Sequence, residues 1–407
     1  MLAASIAPVA LVGVPIATGL AAWPSPAEAS IADDFQKQLS GVSLQQFQAW
    51  RVSRRVQDAR LDAYWANVEA KRAERRQKKA AKQPLTTADY VMTLPPSYDG
   101  PQLPPDLLDR WKKFVAAEEA KLPPPPVKDI PGLDVYLATA KSVYGFTPER
   151  ISERSFKDRY AEEALALGLT KSQVTRIYAL ETGGIGTADM QAGINPISGK
   201  GKPISSALGY AQLLDANSVN EVAKHGDHFL QRLDRLARMP DQPRERVAQL
   251  RAKAAVLTRM IANARSVPYS WARHQEYART PEGQGIHVLN LDGDIGPMLQ
   301  AMKLHGLKVE AEKAGKPKLT GGEMELMNLS GPGTGLEILL NPAAAAAPTT
   351  NFFTRRAYGV NKMVIGLTGA GLLTELDRRM DLAMTKPGVK EFEDAFDAVK
   401  TTALPWQ

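Results

Sequence analysis

Glu181 is the residue of this sequence whose type and spacing most directly suggest chemistry. Val174, Ile177 and Tyr178 stand at i, i+3 and i+4 of a helical stripe, and Glu181 is the next position of that stripe, at i+7. A carboxyl group on an apolar helix face has its charged form disfavoured, so it keeps a proton toward neutral pH, as a general acid must. Thr182-Gly183-Gly184 follows and ends the helix; there the same carboxyl turned outward, or given to a backbone donor, would have no such role, and the pattern allows both. A second constellation begins near Pro203, read as a helix whose apolar stripe is Ile204, Ala207, Leu208, Ala211 and Leu214. Ser205, Gly209 and Gln212 fall on the neighbouring stripe. Glycine inside a helix costs roughly 1 kcal/mol relative to alanine, so Gly209 marks either a ligand, with Ser205 and Gln212 bonding sugar hydroxyl or N-acetyl groups, or a close helix contact.

The elements that must position these groups read as helical almost throughout, so the fold class is all-α. Pro148 to Leu167 forms one helix, closed by Gly168, and Thr170 with Gln173 three residues on opens the next as a capping box. The glycine-rich stretch Gly186 to Lys202 reads as a loop, and Asp227 to Thr280, rich in arginine, as an inserted helical hairpin with Trp271 near its end.

Glu181-Thr182-Gly183-Gly184, followed by Ser206-Ala207-Leu208-Gly209-Tyr210-Ala211-Gln212, resembles the "ESG … GALGLMQ" signature of soluble lytic transglycosylases and goose-type lysozymes. Asn328-Leu329-Ser330-Gly331-Pro332-Gly333 is similar to the family's "YNAGPG" turn, and Thr354 to Val360 to its late "ETRxYV" segment, in the family's order. The resemblance covers roughly residues 145 to 380. It implies a lysozyme-like fold in which Glu181 is the single acid/base, Ser206, Gly209 and Gln212 meet the glycan, Asn328 lines the cleft and Tyr358 holds Glu181. It implies peptidoglycan as substrate, cleaved between MurNAc and GlcNAc with 1,6-anhydro ends. The sequence departs from the pattern in its wider spacing, in Tyr210-Ala211 before the glutamine, and in Met327 where the family has tyrosine. A hydrolase using the same Glu181 would need a second carboxylate; Asp189 is the candidate, with Glu323 and Glu325 also near, each read as a surface or turn residue. A non-catalytic glycan-binding scaffold is the remaining alternative.

The rest of the chain supplies context. Met1 to Trp23 is apolar and uncharged, and Ala27-Glu28-Ala29 has the small residues of a cleavage site, so residues 1–29 read as a signal peptide and the protein as periplasmic. The absence of cysteine excludes disulfides and thiolate ligands. The net charge of +7 is concentrated between Arg51 and Lys82, with eleven basic and four acidic residues. Leu61, Tyr64, Trp65 and Val68 give that segment one apolar patch; residues 30–94 form a basic helical arm whose charge is a solvated face or a docking face for an anionic membrane or envelope assembly. Nucleic acid is not expected as a partner. Residues 95–131, with Pro123 to Pro126 and a short helix from Asp106 to Lys121, read as a Pro-rich linker, and 132–407 as the main domain. His225 and His228, split by Gly226 as a helix boundary, and the lone His274, His287 and His305 offer no metal site, and no cofactor is expected.

Overall fold

The computed structural model describes residues 26–122 and 130–399, and it is all-α, with no strand among the described residues. The apolar opening lies outside the described residues up to residue 25, with residues 26–29 starting the first helix, and the proline run at 123–126 also lies outside them. No described helix is long and apolar enough to cross a membrane. The chain forms two compact units. One holds α1 (Pro26–Lys37), α2 (Gly41–Ala80) and α3 (Pro105–Glu119). The other runs through α4 (Leu133–Tyr144), α5 (Glu153–Ala166), α6 (Lys171–Thr182), α7 (Asp215–Ala237), α8 (Arg244–Arg265), α9 (Trp271–Tyr277), α10 (Pro281–His287), α11 (Ile295–Lys313), α12 (Gly321–Ser330) and α13 (Pro332–Leu340). The chain then rejoins the first unit as α14 (Pro342–Ala346) and α15 (Arg355–Val360), and ends in the second as α16 (Gly369–Ala383) and α17 (Pro387–Ala398).

In the α1–α3 unit, Phe35, Phe47 and Trp111 meet with ring centroids 5.0 to 5.3 Å apart, joined by Trp50 and Phe114. Helix α3 is therefore docked on α1 and α2, which corrects the reading of residues 95–131 as an extended spacer. The basic arm is corrected too. Arg72 donates to the carbonyls of Thr350 (3.1 Å) and Phe353 (2.9 Å), and buried Arg75 to those of Asp89 (2.9 Å) and Asn351 (2.7 Å). Asn351 itself exchanges hydrogen bonds with both backbone groups of Val91. These charges replace water at the buried carbonyls of a turn, so Asn341–Ala370 belongs with the arm and not with the main domain.

In the other unit Thr170 and Gln173 form the capping box that starts α6, and α5 begins at Glu153, later than expected, with the Ser152 side chain accepting from Ser155 N. Helix α7 runs unbroken through Gly226, which is a packing position and not a boundary: a Cβ there would lie 2.4 Å from Ile261 of α8. His225 and His228 consequently share one helix and stack, 5.9 Å apart. The hairpin arginines are partly structural. Arg232 is buried against Glu163 at 2.7 Å, and Arg246 reaches Glu149 at 3.0 Å. Beside it Lys253 lies among Glu149 (2.5 Å), Asp292 (3.0 Å) and Asp294 (2.5 Å), tying α8 to the loop before α11.

Candidate active site

Helix α6 places Glu181 in its last turn, because Gly183 takes the left-handed conformation (φ +63°) that caps it. The three stripe residues before it, Val174, Ile177 and Tyr178, are buried, and Glu181 is only 4% exposed. The helix end therefore does not turn the carboxyl outward. Thr182 Oγ1 bonds back to the Tyr178 carbonyl (2.6 Å), and Tyr178 donates to Gly186 O (2.9 Å), fixing the exit of the chain.

Helix α12 packs on α6 and brings the carboxyl of Glu325, 1% exposed, into hydrogen-bonding contact with Glu181. This corrects two expectations. Glu325 is neither a surface nor a turn residue, and the carboxyl that lies beside Glu181 is that of Glu325, not of Asp189. Asp189 instead pairs with Arg150 and accepts from Thr187 (2.8 Å), while Glu323 caps α12 in a box with Thr320. Asn328, one turn beyond Glu325, approaches its two oxygens through Nδ2 at 3.5 and 3.3 Å.

Two carboxyl groups in contact and out of water cannot both ionise. Burial, the charge of Glu325 and the hydrogen bond with it all raise Glu181 well above its ordinary 4.5. Burial pushes Glu325 up to about 7, against the hydrogen bonds from Glu181 and Asn328 and the charge of Lys303 on α11, which favour its anion. Above about pH 7 the pair keeps one proton, on Glu181, which donates to a Glu325 oxygen, and below it both carboxyls are protonated.

The segment 203–214 is not a helix. Leu208 and Leu213 exchange backbone hydrogen bonds at 3.0 Å across a tight turn, Gly209 to Gln212, in which Gly209 has φ +75° and Gln212 φ +42°. A Cβ on Gly209 would stand 2.6 Å from Gln300 Nε2, so the glycine serves both the turn and a close approach. Of the apolar residues at helical spacing, Ala207, Leu208 and Ala211 are buried, here by a loop, and Ile204 and Leu214 are half-buried. Gln212 is a non-glycine residue held left-handed, a conformation that clusters at functional sites. Its Nε2 donates to the carbonyls of Gly209 (2.7 Å) and Met190 (3.3 Å), while its buried Oε1 has no partner.

Glu153, which the sequence did not single out, braces this loop: its carboxylate accepts from Ala188 N (3.0 and 3.1 Å) and from Tyr210 Oη. Tyr210 fills the core against Tyr178 and Phe156, at 4.9 and 5.2 Å.

The remaining expected residues are engaged elsewhere. Ser206 Oγ accepts from Asp215 N (3.2 Å) at the start of α7, and its carbonyl accepts from His287 Nε2 (2.6 Å). Ser205 Oγ accepts from Ala207 N (3.1 Å). His287 is not isolated but fully buried, with Nδ1 2.8 Å from Ser218 Oγ. Tyr358 lies in the unit of α1–α3, its ring 5.6 Å from Trp65 and its hydroxyl accepting from Gly366 N (2.9 Å). Among the described residues no three His, Asp or Glu side chains gather as metal ligands.

The chain matches no family model, no curated protein and no solved structure. The chemistry of the site therefore has to be argued from its own residues. A proton-bearing carboxyl beside a hydrogen-bonded carboxylate can give a proton to a leaving oxygen and recover one from a hydroxyl.

Proposed function

We propose that the protein is a periplasmic lytic transglycosylase, cleaving the MurNAc-GlcNAc bond of peptidoglycan with Glu181 as its one acid/base. The observation that carries this reading is the direct contact of the two buried carboxyl groups. Glycosidases with two independent carboxylates hold them about 5–5.5 Å apart for retention and about 6.5–9.5 Å apart for inversion. A hydrogen-bonded pair is closer than either and acts as one proton carrier, which suits a reaction that consumes no water.

In this mechanism Glu181 protonates the glycosidic oxygen as the bond from C1 breaks. The sugar's N-acetyl oxygen stabilises the cationic centre. The Glu181 carboxylate then takes the proton of the 6-hydroxyl as that oxygen bonds to C1, which closes the anhydro ring and restores the acid. Glu325 keeps the proton on Glu181 between turnovers. The unpartnered Gln212 Oε1 is suited to accept from a sugar hydroxyl or N-acetyl N–H, and Tyr358 has no part in the proposal.

The test is digestion of peptidoglycan sacculi by the purified protein and by its Glu181→Gln variant, with the soluble products weighed by mass spectrometry. Anhydro ends from the wild type alone are expected. Hydrated ends would move the activity to the lysozymes, and no release from either protein would leave glycan binding as the role of the site.

A further inference from the structure

Helix α2 carries a second pattern, on the face turned away from its own unit. Its buried residues Phe47, Val68 and Arg75 recur at one position of a seven-residue repeat. On the opposite side Val42, Gln45, Ala49, Val52, Val56, Ala59, Ala63, Ala66 and Ala70 alternate at spacings of three and four, and every one of them is exposed. The valines are the clearest departure from a solvated face: Val42, Val52 and Val56 are 67%, 60% and 56% exposed. Apolar residues at the a and d positions over more than three heptads are the seam of a coiled coil, and alanine lets two helix backbones approach closely.

The flanking charges say what fits. Both signs occur there, Arg55, Asp62, Glu69 and Arg76 on one side of the seam, Arg60 and Glu74 on the other, which does not suit an anionic lipid surface. In a parallel pair of α2 helices Arg55 would face Arg60 of the second copy, and Glu69 would face Glu74. An antiparallel pair has a register that uses most of the seam and is free of like charges. It sets Val56 on Ala59 of the second copy, Val52 on Ala63, Ala49 on Ala66 and Gln45 on Ala70, and brings Arg55 beside Asp62 twice, once at each end of the symmetry axis. Asp62 Oδ1 accepts from Arg355 of its own chain (2.7 Å), which leaves the other carboxylate oxygen for Arg55.

We infer that the exposed seam of α2 pairs antiparallel with the same seam of a second copy, making the protein a two-fold dimer through its N-terminal arm. The interface spans residues 45 to 70 on each helix, roughly 40 Å, and includes no residue of the candidate active site. It is independent of what that site does.

The absence of native cysteine makes the arrangement directly measurable on the full chain. Sedimentation velocity at tens of micromolar is expected to show a dimer, and the Val52→Lys, Val56→Lys double variant a monomer of unchanged helicity. Mixing Ala49→Cys with Ala66→Cys protein under oxidation is expected to give a disulfide between the two, while neither crosslinks with itself. A monomeric wild type, a dimer indifferent to the valine changes, or each cysteine variant crosslinking with itself would overturn the inference.

Discussion

Glu325→Gln is expected to remove about 3 kcal/mol of the stability that the wild type loses between pH 5 and 8. The folded protein holds Glu325 near 7, above the ordinary value of 4.5 that it regains on unfolding. Between those values the folded state binds more protons than the unfolded one. The stabilising contribution of the protonated form is therefore complete below about pH 4.5 and is lost as pH rises through 7, each pH unit in that window costing about 1.4 kcal/mol. Glutamine is neutral throughout; Glu221 and Glu162, whose shifts do not involve Glu325, titrate alike in both proteins and cancel, while Glu181 loses the upward push of the Glu325 charge and changes the difference in the same direction. Chemical denaturation of the two proteins at pH 5, 6, 7 and 8 gives the comparison. Parallel stability curves would mean that Glu325 titrates as an ordinary exposed carboxyl.

Lys253→Met is expected to destabilise the protein by about 3–5 kcal/mol at neutral pH. The ammonium is buried and touches Glu149, Asp292 and Asp294, of which Asp292 is fully buried and Asp294 nearly so. Arg246 and Arg159 also reach Asp294, the latter at 2.7 Å, but no other group of the cluster bridges all three carboxylates. Methionine keeps the length of the side chain and leaves the acids facing one another without their central cation. The change should be partly reversed at low pH, where protonation relieves the repulsion, and urea unfolding at pH 7 and pH 4 reads both effects. A loss under about 1 kcal/mol would show that the arginines alone hold the cluster.

The local rules of the chain were legible where neighbours in sequence settle the outcome. The Thr170–Gln173 capping box and the buried stripe ending at Glu181 follow from spacing, and the stripe is what placed the carboxyl correctly. Residues 203–214 show where spacing fails. Their apolar positions match a helix, yet Gly209 and Gln212 take left-handed backbone angles and Gln300, some ninety residues away, closes on the glycine. Glu325 was misjudged for a related reason. It alternates with Glu323 and Asn328 in a short polar-looking segment, and only the packing of α12 on α6 buries it. Arg72 and Arg75 look like surface charge in a basic run until the carbonyls of residues 349–353 arrive from the far end of the chain. The heptad seam of α2, by contrast, lies in the sequence itself, as alanines and valines at spacings of three and four among a denser set of charges.

The claim on which the proposed chemistry rests is that Glu181 carries a proton at neutral pH, held there by Glu325. Carbon-13 NMR of protein labelled at the glutamate carboxyl carbon measures this directly, with Glu181→Gln and Glu325→Gln spectra assigning the two signals. Two linked titrations are expected, with the Glu181 signal still that of a protonated acid at pH 7 and shifted to lower pH once Glu325 is replaced. Both carboxyls titrating independently near 4.5 would contradict the account and remove the acid from the site.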